Sequence, residues 1–184
     1  MNKKVLTIQD ISCVGQCSLT VALPIISACG IETCVLPSAV LSTHTAGFTG
    51  FTFRDLTEDM PSIKDHWKKE NITFDTIYTG YLGSTKQIDY VEDIIDEVGT
   101  VDCLKVIDPA MADNGVLYKG FDNNFVEAMK KLIVILFEND LEFKEYSDRV
   151  CEKFANLPVE KEFCGTWGEI LFNSEECISS ISGC

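Results

Sequence analysis

Short apolar runs alternate along this chain with longer stretches in which apolar residues recur every three or four positions, the periodicities of buried strands and amphipathic helices. Val5 to Ile8 predicts a first strand ending at Gln9-Asp10. Gly15 falls in the turn that follows, and Ser18 stands where an N-cap would open an apolar helix running to Ala28. Pro24 is expected to kink or break that helix, and Gly30 to end it. Thr33 to Leu36 predicts a second strand, stopped by Pro37, and Thr76 to Tyr78 a third. Leu104 to Ile107 has the length and flanking of a buried fourth strand. It should stop at Asp108-Pro109, because proline cannot donate to a sheet ladder.

The helical pattern is clearest after Ser84-x-x-Gln87, which has the form of a capping box. Ile88, Val91, Ile95 and Val98 then share one stripe up to Gly99. A shorter helix near Pro61 would place Ile63 and Trp67 on one face, with His66 at the surface, and another helix is expected over Asn123 to Lys131. Leu132 to Phe137 reads as a buried strand, and Phe143, Tyr146, Val150, Phe154 and Leu157 as a helical stripe. Ser42 to Phe53, STHTAGFTGFTF, is rich in threonine and glycine and carries three phenylalanines, the composition of a loop or flap lying over something.

Strands alternating with helices predict a three-layer α/β/α domain with a mainly parallel sheet. Such sheets bind ligands beyond the C-terminal ends of their strands. Here those ends carry Gln9-Asp10, Ser38-Ala39, Thr79-Gly80-Tyr81 and Asp108-Pro109, all polar, small or glycine-bearing. Asp113 follows Asp108 within an Asp-Asn-Gly sequence that favours a tight turn with positive φ at Gly115. Two carboxylates near one strand tip suit a hydrated Mg²⁺ and its phosphates. Read by itself, the same stretch is also a strand followed by a solvated acidic turn.

Composition narrows the partners. At 184 residues the chain is expected to be one domain with a proper core. No apolar run has the length of a membrane span, and Met-Asn-Lys-Lys leads straight into a strand with no signal-peptide core, so a cytoplasmic protein is expected. A formal net charge of -14 argues against nucleic acid as a partner. An anionic small ligand such as ATP would have to be received locally by backbone N–H groups, a metal ion or a few lysines. The nine cysteines include no C-x-x-C, and two histidines offer little to complete a zinc site. Reduced thiols are expected, with Cys17, Cys29 and Cys34 among the small buried residues.

Four stretches, IQDISCVGQCSLT, SAVLSTHTAGF, TGYLGS and DPAMADNG followed by LY, stand in order at the predicted strand ends. With them the chain resembles a vitamin B6 kinase of the ribokinase-like superfamily from about Lys4 to Lys131. The resemblance implies ATP- and Mg²⁺-dependent phosphorylation of the 5′-hydroxymethyl group of pyridoxal, pyridoxine or pyridoxamine. It places Asp10 just past the first strand against the pyridine ring, Ala39 and Leu41 in the ring pocket, and His44 and Thr45 in a flap beside the substrate. Tyr81 would border the substrate, and Asp108 and Asp113 would lie near Mg²⁺ and the ATP phosphates. Ala112 stands where relatives usually carry glycine.

Beyond Lys131 the resemblance fades. The family next supplies a Pro-Asn strand end and later a Gly-Thr-Gly-Asp turn that holds the transferred phosphate and the catalytic aspartate, and neither is intact here. Cys164-Gly165-Thr166-Trp167-Gly168-Glu169 is similar to that turn, with Trp167 inserted and Glu169 in place of aspartate. Residues 1–131 are thus expected to form the substrate-side core. Residues 132–184, whose acidic excess supplies half of the net charge, would complete or cap the same domain. Two other readings stand beside the B6 kinase: a hydroxymethylpyrimidine kinase, and a catalytically impaired relative that binds B6 vitamers. Whether two copies pair as a homodimer is left open.

Overall fold

The structure is a computed structural model that describes residues 3–45, 47–113 and 116–137, with backbone alone at 113, 116 and 134–137. It divides into one unit ending at Asp108 and another starting at Pro109. In the first unit the chain runs β1 (Lys4–Ser12), α1 (Leu19–Ala28), β2 (Glu32–Leu41), β3 (Phe53–Asp55), a 3-10 turn (Thr57–Asp59) and α2 (Met60–Lys69). It continues through β4 (Phe74–Thr79), α3 (Thr85–Val98) and β5 (Gly99–Ile107). The strands form one sheet in the order β3-β2-β1-β4-β5, parallel except for β3.

The chain steps from β1 to β2 in one direction and from β4 to β5 in the other. Right-handed crossovers therefore put α1 on one face of the sheet, and α3 with its neighbour α2 on the other. Covered on both faces, the central strand β1 is buried without a break from Val5 to Asp10, including the polar Thr7 and Gln9. This is a mixed, mainly parallel sheet flanked by helices on both faces, the three-layer α/β/α architecture that the alternation of periods predicts, and it is consistent with the ribokinase-like fold that the resemblance implies.

α3 buries the predicted stripe of Ile88, Val91, Ile95 and Val98 and adds Ile94. Five such side chains, each stabilising by about 1.5–3 kcal/mol on burial, anchor the helix to the sheet. Gly99 does not end α3 through a left-handed turn, since its φ is -73°. A Cβ there would stand 2.5 Å from the Ile95 carbonyl oxygen, so the close pass of chain over helix end is what requires glycine.

Several expectations are corrected. Pro24 lies inside α1 without ending it, and Ser18 occupies the N-cap position without a side-chain cap, its φ being 49°. Packing against β1 and β2 outweighs the lost hydrogen bond. Pro37 does not stop β2, which runs on to Leu41. At Pro37 the only paired neighbour is β1, because β3 joins from Ala39 onward, and the β1–β2 register shifts just beyond it. Proline is tolerated at such an edge position. Strand β5 is not buried: Leu104 is 61% and Val106 40% exposed, since β5 is the outer strand of the described sheet. Cys29 is exposed and Cys17 and Cys34 are half-buried, so these thiols are not core residues.

The second unit holds a two-stranded antiparallel hairpin, β6 (Ala112–Asp113) with β7 (Val116–Leu117), and α4 (Asn123–Phe137). Ala112 lies in extended backbone without positive φ, so alanine needs no glycine-like freedom there. The φ of Gly115 lies outside the described residues. The Asp122 carboxylate accepts from the Phe125 N–H at 3.0 Å and caps α4. Leu132 to Phe137 is the last part of that helix and not a strand; Leu132 and Ile133 are buried with Phe125 and Met129. An unbroken apolar run does not distinguish the two by periodicity, and here the run continues a helix already capped upstream. Among the described residues no helix is long and apolar enough to cross a membrane.

Candidate functional site

Parallel pairing brings the C-terminal ends of β1, β2, β4 and β5 to one edge of the first unit. Backbone bonds continue past the strands and tie those ends together. Gly80 N–H donates to the Ile8 carbonyl (3.0 Å), Asp108 N–H to the Thr79 carbonyl (3.1 Å) and Cys13 N–H to the Leu41 carbonyl (2.9 Å). The edge is thereby a rigid rim, on which side chains from distant parts of the sequence are held in register.

Asp10 is not past β1 but within it, 5% exposed, because the strand extends to Ser12. Its carboxylate accepts from the Ser12 hydroxyl at 3.2 Å. Tyr81, half-buried just beyond β4, has its phenol pKa pushed up by burial first, and then by the negative charges of Asp10 and Asp55. The Tyr81 carbonyl accepts from the Ser38 hydroxyl at 2.8 Å, joining the ends of β2 and β4. Ala39 and Leu41 are buried on β2.

The stretch Ser42 to Thr52 leaves the end of β2 and returns as β3, closed at its base by a bond from the Thr52 N–H to the Ser42 hydroxyl at 2.9 Å. His44 N–H donates to the Val14 carbonyl at 3.1 Å, so this flap is pinned to the loop after β1. The imidazole lies directly on Gly15: a Cβ there would stand 2.1 Å from His44 Cδ2, and Gly15 has φ +112°. Phe48 meets the His44 ring in a T-shaped arrangement, with the ring centroids 5.0 Å apart. Thr45 is exposed, and the buried Thr43 and Thr79 hydroxyl oxygens have no hydrogen-bond partner among the described residues. Orphaned hydroxyls in the flap and at the end of β4 are groups a polar ligand could satisfy.

Asp108 stands at the tip of β5 with its pKa raised to about 6 by burial. Its charge helps to raise the pKa of Tyr78, behind the larger effect of burial, while a hydrogen bond with Gln9 opposes both. Gln9 itself is pressed against Gly80, where a Cβ would come within 2.7 Å of its amide. Among the described residues no three His, Cys, Asp or Glu side chains are grouped to hold a metal ion. The Asp113 side chain and Glu169 lie outside the described residues. His66, as expected, is a surface residue on α2.

Sequence reasoning passed over Gln87, whose side chain bonds three separate segments and faces no solvent. Its sequence signal, Ser84-x-x-Gln87, is that of a cap. Half of the capping box does form, with the Ser84 hydroxyl accepting from the Gln87 N–H at 3.3 Å, while the glutamine side chain turns inward.

A parallel sheet with polar side chains gathered at its C-terminal edge belongs to the open α/β class, in which ligands bind beyond the carboxyl ends of the strands. No family model and no curated protein sequence matches the chain. Solved structures do. One is a Bacteroides thetaiotaomicron protein assigned as a phosphomethylpyrimidine kinase and crystallised with pyridoxal. It is 48% identical, with a TM-score of 0.69 over 73% of this chain and 46% of its own. Pyridoxal kinase from Lactobacillus plantarum is 36% identical, with a TM-score of 0.67 over 71% of this chain and 46% of its own. Pyridoxal kinase from Leishmania donovani, in complex with ADP and pyridoxamine, is 22% identical and matches in fold, with a TM-score of 0.67 over 72% of this chain and 49% of its own. The chain is therefore structurally homologous to the pyridoxal and phosphomethylpyrimidine kinases of the ribokinase-like superfamily, and it spans less than half the length of these relatives.

Proposed function

We propose that this chain forms the substrate-binding face of a kinase that takes a small heteroaromatic alcohol, a B6-type or pyrimidine-type vitamer, as phosphoryl acceptor. The observation that carries the reading is the convergence of Asp10 and Tyr81 at the C-terminal edge, where the Gly80 N–H bonds the Ile8 carbonyl at 3.0 Å and the phenol pKa is raised by burial and then by the Asp10 charge. In this reading Asp10 hydrogen-bonds a ring substituent, Ala39 and Leu41 form an apolar wall, and Tyr81 borders the ring. His44 and Thr45 close over it from the flap. Asp108, with Asp113 added by the resemblance, supplies the hard oxygen donors that suit Mg²⁺. Bound Mg²⁺–ATP would bring the phosphoryl group and neutralise its charge. Asp108 would have to lose its proton before serving as a ligand, so metal affinity should rise with pH through about 6.

A pyrimidine acceptor is the second reading. The 48% identical relative is assigned to phosphomethylpyrimidine yet was crystallised with pyridoxal, which keeps both ring types in play. Calorimetric titration with pyridoxal and with hydroxymethylpyrimidine, beside a coupled ADP-release assay, separates the two and also detects binding without turnover. His44→Ala combined with Tyr81→Ala should weaken binding of the preferred ring by more than about tenfold, the loss of two contacts worth about 1 kcal/mol each. Unchanged affinity in the double variant removes the site assignment.

A further inference from the structure

Gln87 sits in the first turn of α3, where a polar residue normally faces water, yet it is completely buried. Its amide is engaged on both sides. Nε2 donates to the Ser38 carbonyl at 2.9 Å and to the Thr57 hydroxyl at 2.8 Å, and Oε1 accepts from the Gly83 N–H at 2.7 Å. These partners come from the end of β2, the 3-10 turn and the loop between β4 and α3.

Two branches lead on from there. Ser38 donates its hydroxyl to the Tyr81 carbonyl. Thr57 donates its N–H and hydroxyl to the Asp55 carboxylate, whose charge acts on the Tyr81 phenol. The backbone of Tyr81 is thus linked by hydrogen bonds, through Ser38, to one buried amide, and that amide's other partner holds the carboxylate whose charge reaches the phenol.

Capping accounts for only part of that amide: Oε1 accepts from the Gly83 N–H, one residue before the Ser84 N-cap, whereas both Nε2 bonds leave the helix start for Ser38 and Thr57. The rest is not explained by space-filling, which an apolar side chain of similar volume would serve without burying three polar atoms. Two donors and an acceptor at fixed angles are what only glutamine among side chains of this length offers.

We propose that Gln87 is a positioning residue for Tyr81: it sets where the tyrosine stands against a bound ring, and so tunes acceptor affinity from outside the pocket. The proposal rests on the reading of Tyr81 as a pocket residue, and its test separates the two claims. Gln87→Leu removes all three bonds. Gln87→Glu keeps the acceptor and, while protonated, one donor; once ionised, its carboxylate opposes the Ser38 carbonyl.

The full chain is labelled with fluorotyrosine, and the Tyr81 signal among the five tyrosines is assigned with Tyr81→Phe. Both Gln87 variants should shift the Tyr81 fluorine resonance without any ligand. Pyridoxal affinity, measured on protein shown folded by circular dichroism, should fall about tenfold in Gln87→Leu. In Gln87→Glu it should be near normal at about pH 5 and fall towards about pH 8, because burial raises the glutamic acid pKa. In a Tyr81→Ala background, Gln87→Leu should change affinity by less than about twofold.

An unmoved Tyr81 resonance overturns the proposal, as does an equal affinity loss with and without Tyr81. If Gln87→Leu does not fold, the pH dependence of Gln87→Glu decides. If the unsubstituted chain fails to bind pyridoxal, the site reading falls, and the fluorine shift alone then supports or overturns the role of Gln87.

Discussion

Gly15 shows how much one residue can hold. Its left-handed φ and the imidazole lying on its Cα mean that any Cβ is excluded twice, by backbone strain and by His44. Gly15→Ala should destabilise the protein by about 1–2 kcal/mol in urea denaturation. It should also weaken pyridoxal binding several-fold by displacing the flap; affinity left intact would mean that His44 plays no part in the site. Asp108 makes a second test at this scale. Its folded pKa of about 6 lies above the unfolded value near 3.8, so the folded state holds the proton more tightly. That contribution to stability is complete below about pH 4 and is lost as pH rises through about 6. With allowance for solvent screening of a half-buried group it amounts to about 1–2 kcal/mol. Asp108→Asn should flatten stability against pH over that window, and an unaltered profile would show that Asp108 is not the group responsible.

Among the elements, α3 and β5 make opposite predictions although both are apolar in sequence. Ile94, 1% exposed, is buried in α3 near Met60 and Pro61 of α2, and Ile94→Ala should cost about 2–5 kcal/mol by urea denaturation. Leu104 on β5 is exposed, so Leu104→Lys should change stability by no more than about 0.5 kcal/mol. A charge on an outer strand also discourages edge-to-edge pairing. Sedimentation should therefore find less self-association in Leu104→Lys; a large stability loss instead would show that β5 is covered.

For the molecule as a whole, the open question is turnover. The resemblance assigns the catalytic base to an aspartate in a Gly-Thr-Gly-Asp turn, and Glu169 stands there with an extra methylene and Trp167 inserted before it. Misplacing a catalytic group by about 1 Å costs on the order of a hundredfold. The chain should therefore bind pyridoxal but phosphorylate it at least a hundredfold more slowly than the Lactobacillus plantarum enzyme in the same ADP-release assay. Glu169→Gln should abolish what activity remains. Turnover at the relative's rate would disprove this, and residual activity surviving Glu169→Gln would place the base elsewhere.

The α/β class, the strands with their polar ends and the stripe of α3 were all legible in the sequence, because each follows from a local period of apolar residues and the punctuation between them. Asp10, His44 and Tyr81 came from the family resemblance and not from any period, and Asp10 lies inside β1 where the local pattern ends the strand before it. What local pattern could not determine is whatever depends on neighbours. Pro37 stays within β2 because the strand beside it is missing at that point, and Pro24 stays within α1 because the sheet holds the helix. Leu104 and Val106 are as apolar as any core residue and are exposed because of their place in the strand order. Gln87 carries the same lesson in the other direction. Its sequence context is that of a cap, and only the approach of Ser38, Thr57 and Gly83 from three distant segments makes its amide a buried junction. Periodicity is a property of the chain, whereas burial and hydrogen-bond partnership are properties of the packing, and the second cannot be read from the first.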